Sequence, residues 1–154
     1  MTAAWDAGNR SGVACTLGAG RDDELGGLFT FSAAKLTYYG GSALIWLDGV
    51  DDTRRALAAS TEAIRLWEVG ERAELPEDDH ALAHVYAATA AVQLGEVDRA
   101  AALLAPVLAL PAERRISWLR KRVARVGDLL DGDRFAGSRE AAALRAAVTA
   151  FAAP

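Results

Sequence analysis

The chain has 154 residues, 52% of them hydrophobic and 25% charged, with a formal net charge of −4. That length supports one domain with a sizeable core, and the composition is too apolar for intrinsic disorder. One cysteine, Cys15, excludes an internal disulfide and a cysteine-cluster metal site, and the acidic balance gives no general attraction to nucleic acid. A reducing cytoplasm is the expected compartment. Nothing near Met1 reads as a secretory leader, and no run of roughly 18 apolar residues is present to span a membrane.

Residues 1–30 read as an irregular, glycine-rich segment, and residues 31–154 as a helical domain. Gly8, Gly12, Gly18, Gly20, Gly26 and Gly27 interrupt any helical period. Gly18-Ala19-Gly20 lacks the following lysine of a phosphate loop and reads as a plain loop. The acidic run Asp22-Asp23-Glu24 lacks the ligand spacing of a calcium loop and reads as solvated. Leu25, Leu28, Phe29 and Phe31 are expected to pin this segment onto the helices that follow.

A helix is expected from Ser32, its cap, through Leu47, with apolar surface from Leu36, Tyr39, Ala43, Leu44, Trp46 and Leu47. Gly40-Gly41 inside it costs about 1 kcal/mol per glycine relative to alanine, which implies close backbone packing or something docking there. After a turn at Asp48-Gly49, a second helix carries Ala56, Leu57, Ile64, Leu66 and Trp67 to Gly70. Pro76 suits the first turn of a third helix, which ends at Leu94-Gly95. Glu96-Val97-Asp98 starts a fourth, with Ala100, Leu103, Leu104, Val107 and Leu108 at three-and-four spacing and Pro106 expected to bend it. From Pro111 a fifth helix is expected through Arg114, Ile116, Leu119, Val123, Val126 and Leu130. Ser138 caps a sixth, with Leu144, Val148 and Phe151 inward.

The elements pair into three helical hairpins, 32–70, 76–110 and 111–153. Each hairpin alone leaves an apolar face wet, so the expected fold is all-α, a right-handed stack of about three antiparallel hairpins.

Ala88, Gly95, Ala100, Leu104, Val107 and Pro111 stand where a tetratricopeptide repeat has its small residues, turn glycine, large residues and final proline, so this hairpin resembles that repeat. His84 and Ala91 depart from the pattern, being smaller or more polar than its usual residues. The stretches LGGLFTFSAAK, YYGGSALIWL and LGEVDRAAALLAPVLALPAERRI resemble the carboxy-terminal sensor region of actinobacterial helix-turn-helix regulators of the XRE type. The resemblance implies a dimerisation or sensing role in transcriptional regulation, and a homodimer. The DNA-binding domain of such regulators is not expected in the segment before Leu25.

Two sets of residues are candidates for binding. First helices of such hairpins line a concave face, which assigns Tyr38, Ile45, Thr89, Gln93 and Arg120 to a ligand or peptide groove. Arg114, Arg115, Lys121, Arg122 and Arg125, with Arg120, form a basic face that reads either as a solvated surface or as one recognising an acidic peptide, an acidic partner helix or nucleic acid, arginine being suited to carboxylates. Trp46, Trp67 and Trp118 are expected in packing roles. His80 and His84 have the spacing of two metal ligands on one helix. Without a glutamate in the zinc-protease arrangement, the expectation is no metal and no cofactor, with His80 solvated and His84 packed or hydrogen-bonded.

The function expected is a non-catalytic interaction or sensor module binding a peptide, a protein partner or itself. Pairing with a full-length DNA-binding relative in response to a small molecule is the alternative. A metal-dependent hydrolase using His80 and His84 comes last. Direct nucleic-acid binding and membrane association are not expected.

Overall fold

Ser32 opens the first helix, α1 (Ala33–Leu44), by accepting a hydrogen bond from the Lys35 amide at 3.2 Å, which satisfies one of the unpaired donors of the first turn. The computed structural model describes residues 32–47, 49–70 and 77–153. The expectations for the glycine-rich segment, its acidic run, the pins Leu25, Leu28, Phe29 and Phe31, Cys15, Asp48 and Pro76 fall outside the described residues.

The buried face of α1 is not the one the large residues suggested. Ala34, Tyr38, Gly41 and Ile45 turn inward, whereas Leu36, Tyr39, Trp46 and Leu47 are about half exposed or more. The physical reason is close approach. Small residues at 34 and 41 let α1 settle onto α2 (Val50–Val69), where Ala56, Ser60 and Ala63 are fully buried. The helix also ends at Leu44, short of the expected Leu47, with Ile45 and Trp46 in the turn.

Helix α3 (Glu77–Gln93) is the centre of the molecule, since every residue from Leu82 to Val92 is buried. A helix apolar all round must be covered on all sides, and α3 packs against α1, α2, α4 and α5. Gly95, at φ +83°, supplies the left-handed residue that ends it. The Gly95 amide donates to the Val92 carbonyl at 2.9 Å and the Glu96 amide to the Ala91 carbonyl at 2.8 Å.

Helix α4 (Val97–Leu108) buries Ala100, Leu104 and Val107. Pro106 lies in its last turn, so the amide it lacks is lost just before the helix ends. The expected continuous helix from Pro111 is divided. A single 3-10 turn, Ala112–Arg114, is followed by extended backbone at Ile116 before α5 (Ser117–Leu130). Arg115 causes the break in part, because its Nε donates to the Leu110 carbonyl at 2.8 Å and ties the linker to the end of α4. Arg114 and Ile116 are therefore exposed rather than on the buried stripe, which runs through Leu119, Val123, Val126 and Leu130 as expected.

A second 3-10 turn, Asp133–Phe135, leads to α6 (Arg139–Ala152), capped by the Ser138 hydroxyl accepting from the Ala141 amide at 3.1 Å. The six helices of the described residues form three antiparallel hairpins, α1–α2, α3–α4 and α5–α6. The first helices α1, α3 and α5 neighbour one another in that order, and α4 packs on α6. No helix of the described residues is long and apolar enough to cross a membrane.

Candidate functional site

Where α1 ends, its last turn faces the flanks of α3 and α5 across a trough. One lobe, of about 280 Å³, has Ile45, Val85 and Tyr86 as its floor and Trp46, Trp118, Lys121, Arg122 and Arg125 as its walls. A second, of about 390 Å³, continues past Thr89 and Gln93 toward Arg134. Ile45, Trp46, Thr89 and Arg125 belong to both lobes, and no acidic residue among the described residues lines either.

Local structure explains this convergence. On α5 the residues Trp118, Lys121, Arg122, Arg125 and Leu129 recur at three-and-four spacing, so they share one face of the helix. On α3 the same spacing aligns Tyr86, Thr89 and Gln93. Trp46 reaches the trough because α1 stops short and the turn carries the indole outward, leaving it 60% exposed. The Arg125 guanidinium carbon stands 5.9 Å from the Trp46 ring centroid, and that of Arg122 stands 5.8 Å from the Tyr86 centroid. Each such pair contributes about 0.5–1 kcal/mol at an exposed site, enough to orient a guanidinium and too little to hold it against a carboxylate.

Of the residues assigned to the groove from sequence, Ile45, Thr89 and Gln93 are there. Thr89 donates its hydroxyl to the Val85 carbonyl at 2.7 Å, and Gln93 donates its Nε2 to the Ile45 carbonyl at 3.4 Å. The Gln93 Oε1 is buried without a protein partner among the described residues. Tyr38 is not in the groove. It is 4% exposed, with the rings of Tyr39, Trp67 and Tyr86 at 5.0, 5.9 and 5.9 Å. Burial first, and then the nearby Tyr86 and Asp79, push its hydroxyl well above the ordinary tyrosine range.

Arg120 is not there either, since it points to the end of α6 and donates to the Ala153 carbonyl at 3.3 Å. One residue along a helix is a rotation of about 100°, which separates Arg120 from Lys121.

The basic face divides in the same way. Lys121, Arg122 and Arg125 line the trough. Arg114 forms an ion pair with Glu77, and Arg115, besides holding Leu110, lies 4.9 Å from the Phe151 ring. Sequence spacing alone misses Tyr86 and gives Trp46 and Trp118 packing roles, whereas all three border the trough. Trp67 does pack, at 6% exposure.

Comparison of the chain with protein-family models, curated proteins and solved structures gives no match. The site therefore stands on its own geometry. A wider depression of about 960 Å³ lies along α5 and α6, but alanines dominate its lining and its Arg145 is ion-paired with Asp131.

The two histidines form a separate group on α3, away from the trough. His84 is buried, and its Nδ1 lies 2.8 Å from the Leu103 carbonyl oxygen. His80 is not simply solvated, as expected from its place near the helix start. It is half-buried, with its ring edge-to-face on His84 at 4.9 Å and on Trp67 at 6.0 Å, and its Nε2 is buried without a partner among the described residues. Burial holds both imidazoles below the ordinary histidine value; for His80 the neighbouring His84 ring adds to the effect.

Proposed function

We propose that the protein is a non-catalytic binding module that takes an acidic peptide, or an acidic segment of a protein partner, in the trough between α1, α3 and α5. One observation carries this reading: Lys121, Arg122 and Arg125 converge with Trp46 and Tyr86 around an apolar floor, and no carboxylate of the described residues lines that lobe. Arginine forks pair with carboxylates through two parallel hydrogen bonds, and exposed indole supplies apolar area beside them. Drug-sized ligands are enclosed by pockets of roughly 300–1,000 Å³. Two joined lobes at the low end of that range, with exposed walls, suit successive side chains of a peptide better.

The resemblance to regulator sensor regions sets this activity in the control of transcription, with the peptide or partner as the input. Self-association is a second role we propose, favoured by the exposed apolar side chains of Leu36 on α1 and Leu47 just after it.

The test is fluorescence anisotropy with a labelled peptide alternating glutamate and tryptophan, beside the same peptide with glutamine for glutamate. Saturable binding of the acidic form is expected, weakening as salt rises. Arg122→Glu with Arg125→Glu is expected to weaken it at least tenfold, each reversal removing an attraction and adding a repulsion. Equal binding of both peptides, or no effect of the double reversal, would sink the reading.

A further inference from the structure

Glu68, His80 and His84 each offer one ligand atom, and the three atoms lie within 4.8 Å of one another. They come from two elements, Glu68 from the last turns of α2 and the histidines from the first half of α3. The four-residue spacing of the histidines puts both rings on one face of α3, and α2 packs against that helix.

The hydrogen bonding of His84 fixes which nitrogen is available. A carbonyl oxygen only accepts, so the Nδ1 facing Leu103 must carry the proton and donate it. The Nε2 is then an unprotonated lone pair. This is the arrangement metal-binding histidines use, where one nitrogen is anchored to a carbonyl so that the other is held in the ligand tautomer.

His80 completes the set. Its Nε2 is shielded from solvent and has no hydrogen-bond partner among the described residues, a cost that a bound ion would remove. Glu68 is exposed, so its carboxylate has room to swing inward.

We propose that Glu68, His80 and His84 form a site for one divalent transition-metal ion of the zinc class. Two imidazoles and a carboxylate are a borderline donor set, suited to zinc, cobalt(II) or nickel rather than calcium or magnesium, which prefer oxygen alone. Tetrahedral zinc with bonds of about 2.0–2.2 Å separates its ligand atoms by about 3.4 Å. The present spread exceeds that separation by at most about 1.4 Å. A cavity of about 440 Å³ bounded by His80, His84, Pro106 and Arg114 opens onto the pair and leaves room for water as a fourth ligand. Bound metal would join the end of α2 to the start of α3 and hold the first hairpin on the second. The site is separate from the trough and does not depend on it.

The experiment is a titration of the untagged full chain with cobalt(II), followed by displacement with zinc(II), read by visible absorption and by equilibrium dialysis. One cobalt per chain is expected, with the intense bands of four-coordinate cobalt that vanish as zinc displaces it. Glu68→Gln, at an exposed position, is expected to weaken binding at least tenfold while leaving the circular dichroism spectrum unchanged. His80→Phe keeps a ring against Trp67 and is expected to abolish stoichiometric binding. Cys15→Ser is expected to bind as the parent does. Absence of saturable uptake of one metal per chain would overturn the proposal. So would uptake that survives both Glu68→Gln and His80→Phe, or uptake that disappears with Cys15.

Discussion

Gly41 of α1 lies against Ser60 of α2 so closely that a Cβ at position 41 would stand 2.8 Å from the Ser60 Oγ and 3.1 Å from its amide nitrogen. The serine hydroxyl can rotate, but the amide and the Ala56 carbonyl at 3.3 Å cannot move without separating the helices. Gly40, one residue earlier, is exposed, and a Cβ there would meet no atom of the described residues within 4 Å. The two glycines thus share a helix and a propensity penalty, and differ only in what they face.

The pair gives a test with opposite signs. Gly40→Ala is expected to stabilise the protein by up to about 1 kcal/mol, the difference in helix propensity. Gly41→Ala gains the same propensity and loses more to overpacking, about 1–3 kcal/mol, so a net destabilisation is expected. Urea midpoints of both variants check this. Equal effects of the same sign would mean that α1 does not sit on α2 as described.

Arg134 joins the last hairpin to the central helix. Its two terminal nitrogens donate to the Gln93 and Val92 carbonyls at 2.9 and 2.8 Å at the end of α3, where the Val92 carbonyl also accepts from the Gly95 amide. Arg134→Ala is expected to cost about 1–2 kcal/mol, the lower range for charged hydrogen bonds because the residue is exposed. Arg139→Ala, also at an exposed position, is the comparison and should stay within about 0.5 kcal/mol of the parent. Thermal unfolding of the two variants side by side separates these outcomes.

Tyr38 links pH to folding. The fold raises its pKa, so the native state keeps the phenol protonated where the unfolded chain releases it. The stabilising contribution is therefore complete below about pH 10, the ordinary tyrosine value, and declines as pH rises above it. Between pH 9 and 11 one such group removes at most about 1.4 kcal/mol. Tyr38→Phe abolishes that titration and should lose less stability over this interval than the parent. Urea unfolding of both at pH 9 and pH 11 measures it, and parallel losses would show that Tyr38 ionises freely in the fold.

Much of the architecture is legible because single residues decide it locally. Ser32 and Ser138 cap their helices, Gly95 takes the positive φ that ends α3, and the stripe from Leu119 to Leu130 is buried at the spacing the sequence shows. The inward face of α1 is not legible, because large apolar residues at 36, 39, 46 and 47 outweigh Ala34 and Gly41 in any periodicity. Their smallness matters only once α2 lies against them. The trough is half legible for a related reason. The three-and-four run from Trp118 to Arg125 is plain in α5, but its meeting with Trp46 and Tyr86 depends on where α1 stops and how the hairpins stack. The histidine spacing is visible too, whereas Glu68 and the Leu103 carbonyl come from other helices.

Trp46 separates a binding role from a packing role in one substitution. Its indole is 60% exposed, borders both lobes of the trough and faces the Arg125 guanidinium. Truncation of so exposed a ring removes little buried area, so Trp46→Ala is expected to change stability by less than about 1 kcal/mol. Aromatic residues at the centre of a binding surface commonly carry about 2 kcal/mol or more of affinity, so the same variant should bind the acidic peptide roughly thirtyfold more weakly. Trp67→Ala should do the reverse in kind, because the buried Trp67 ring supports Tyr38 and His80 and its loss costs about 3–5 kcal/mol of stability. Anisotropy and thermal unfolding on both variants separate the two roles. A Trp46→Ala protein that binds as the parent does would remove the indole from the site and leave the arginines of α5 to account for recognition alone.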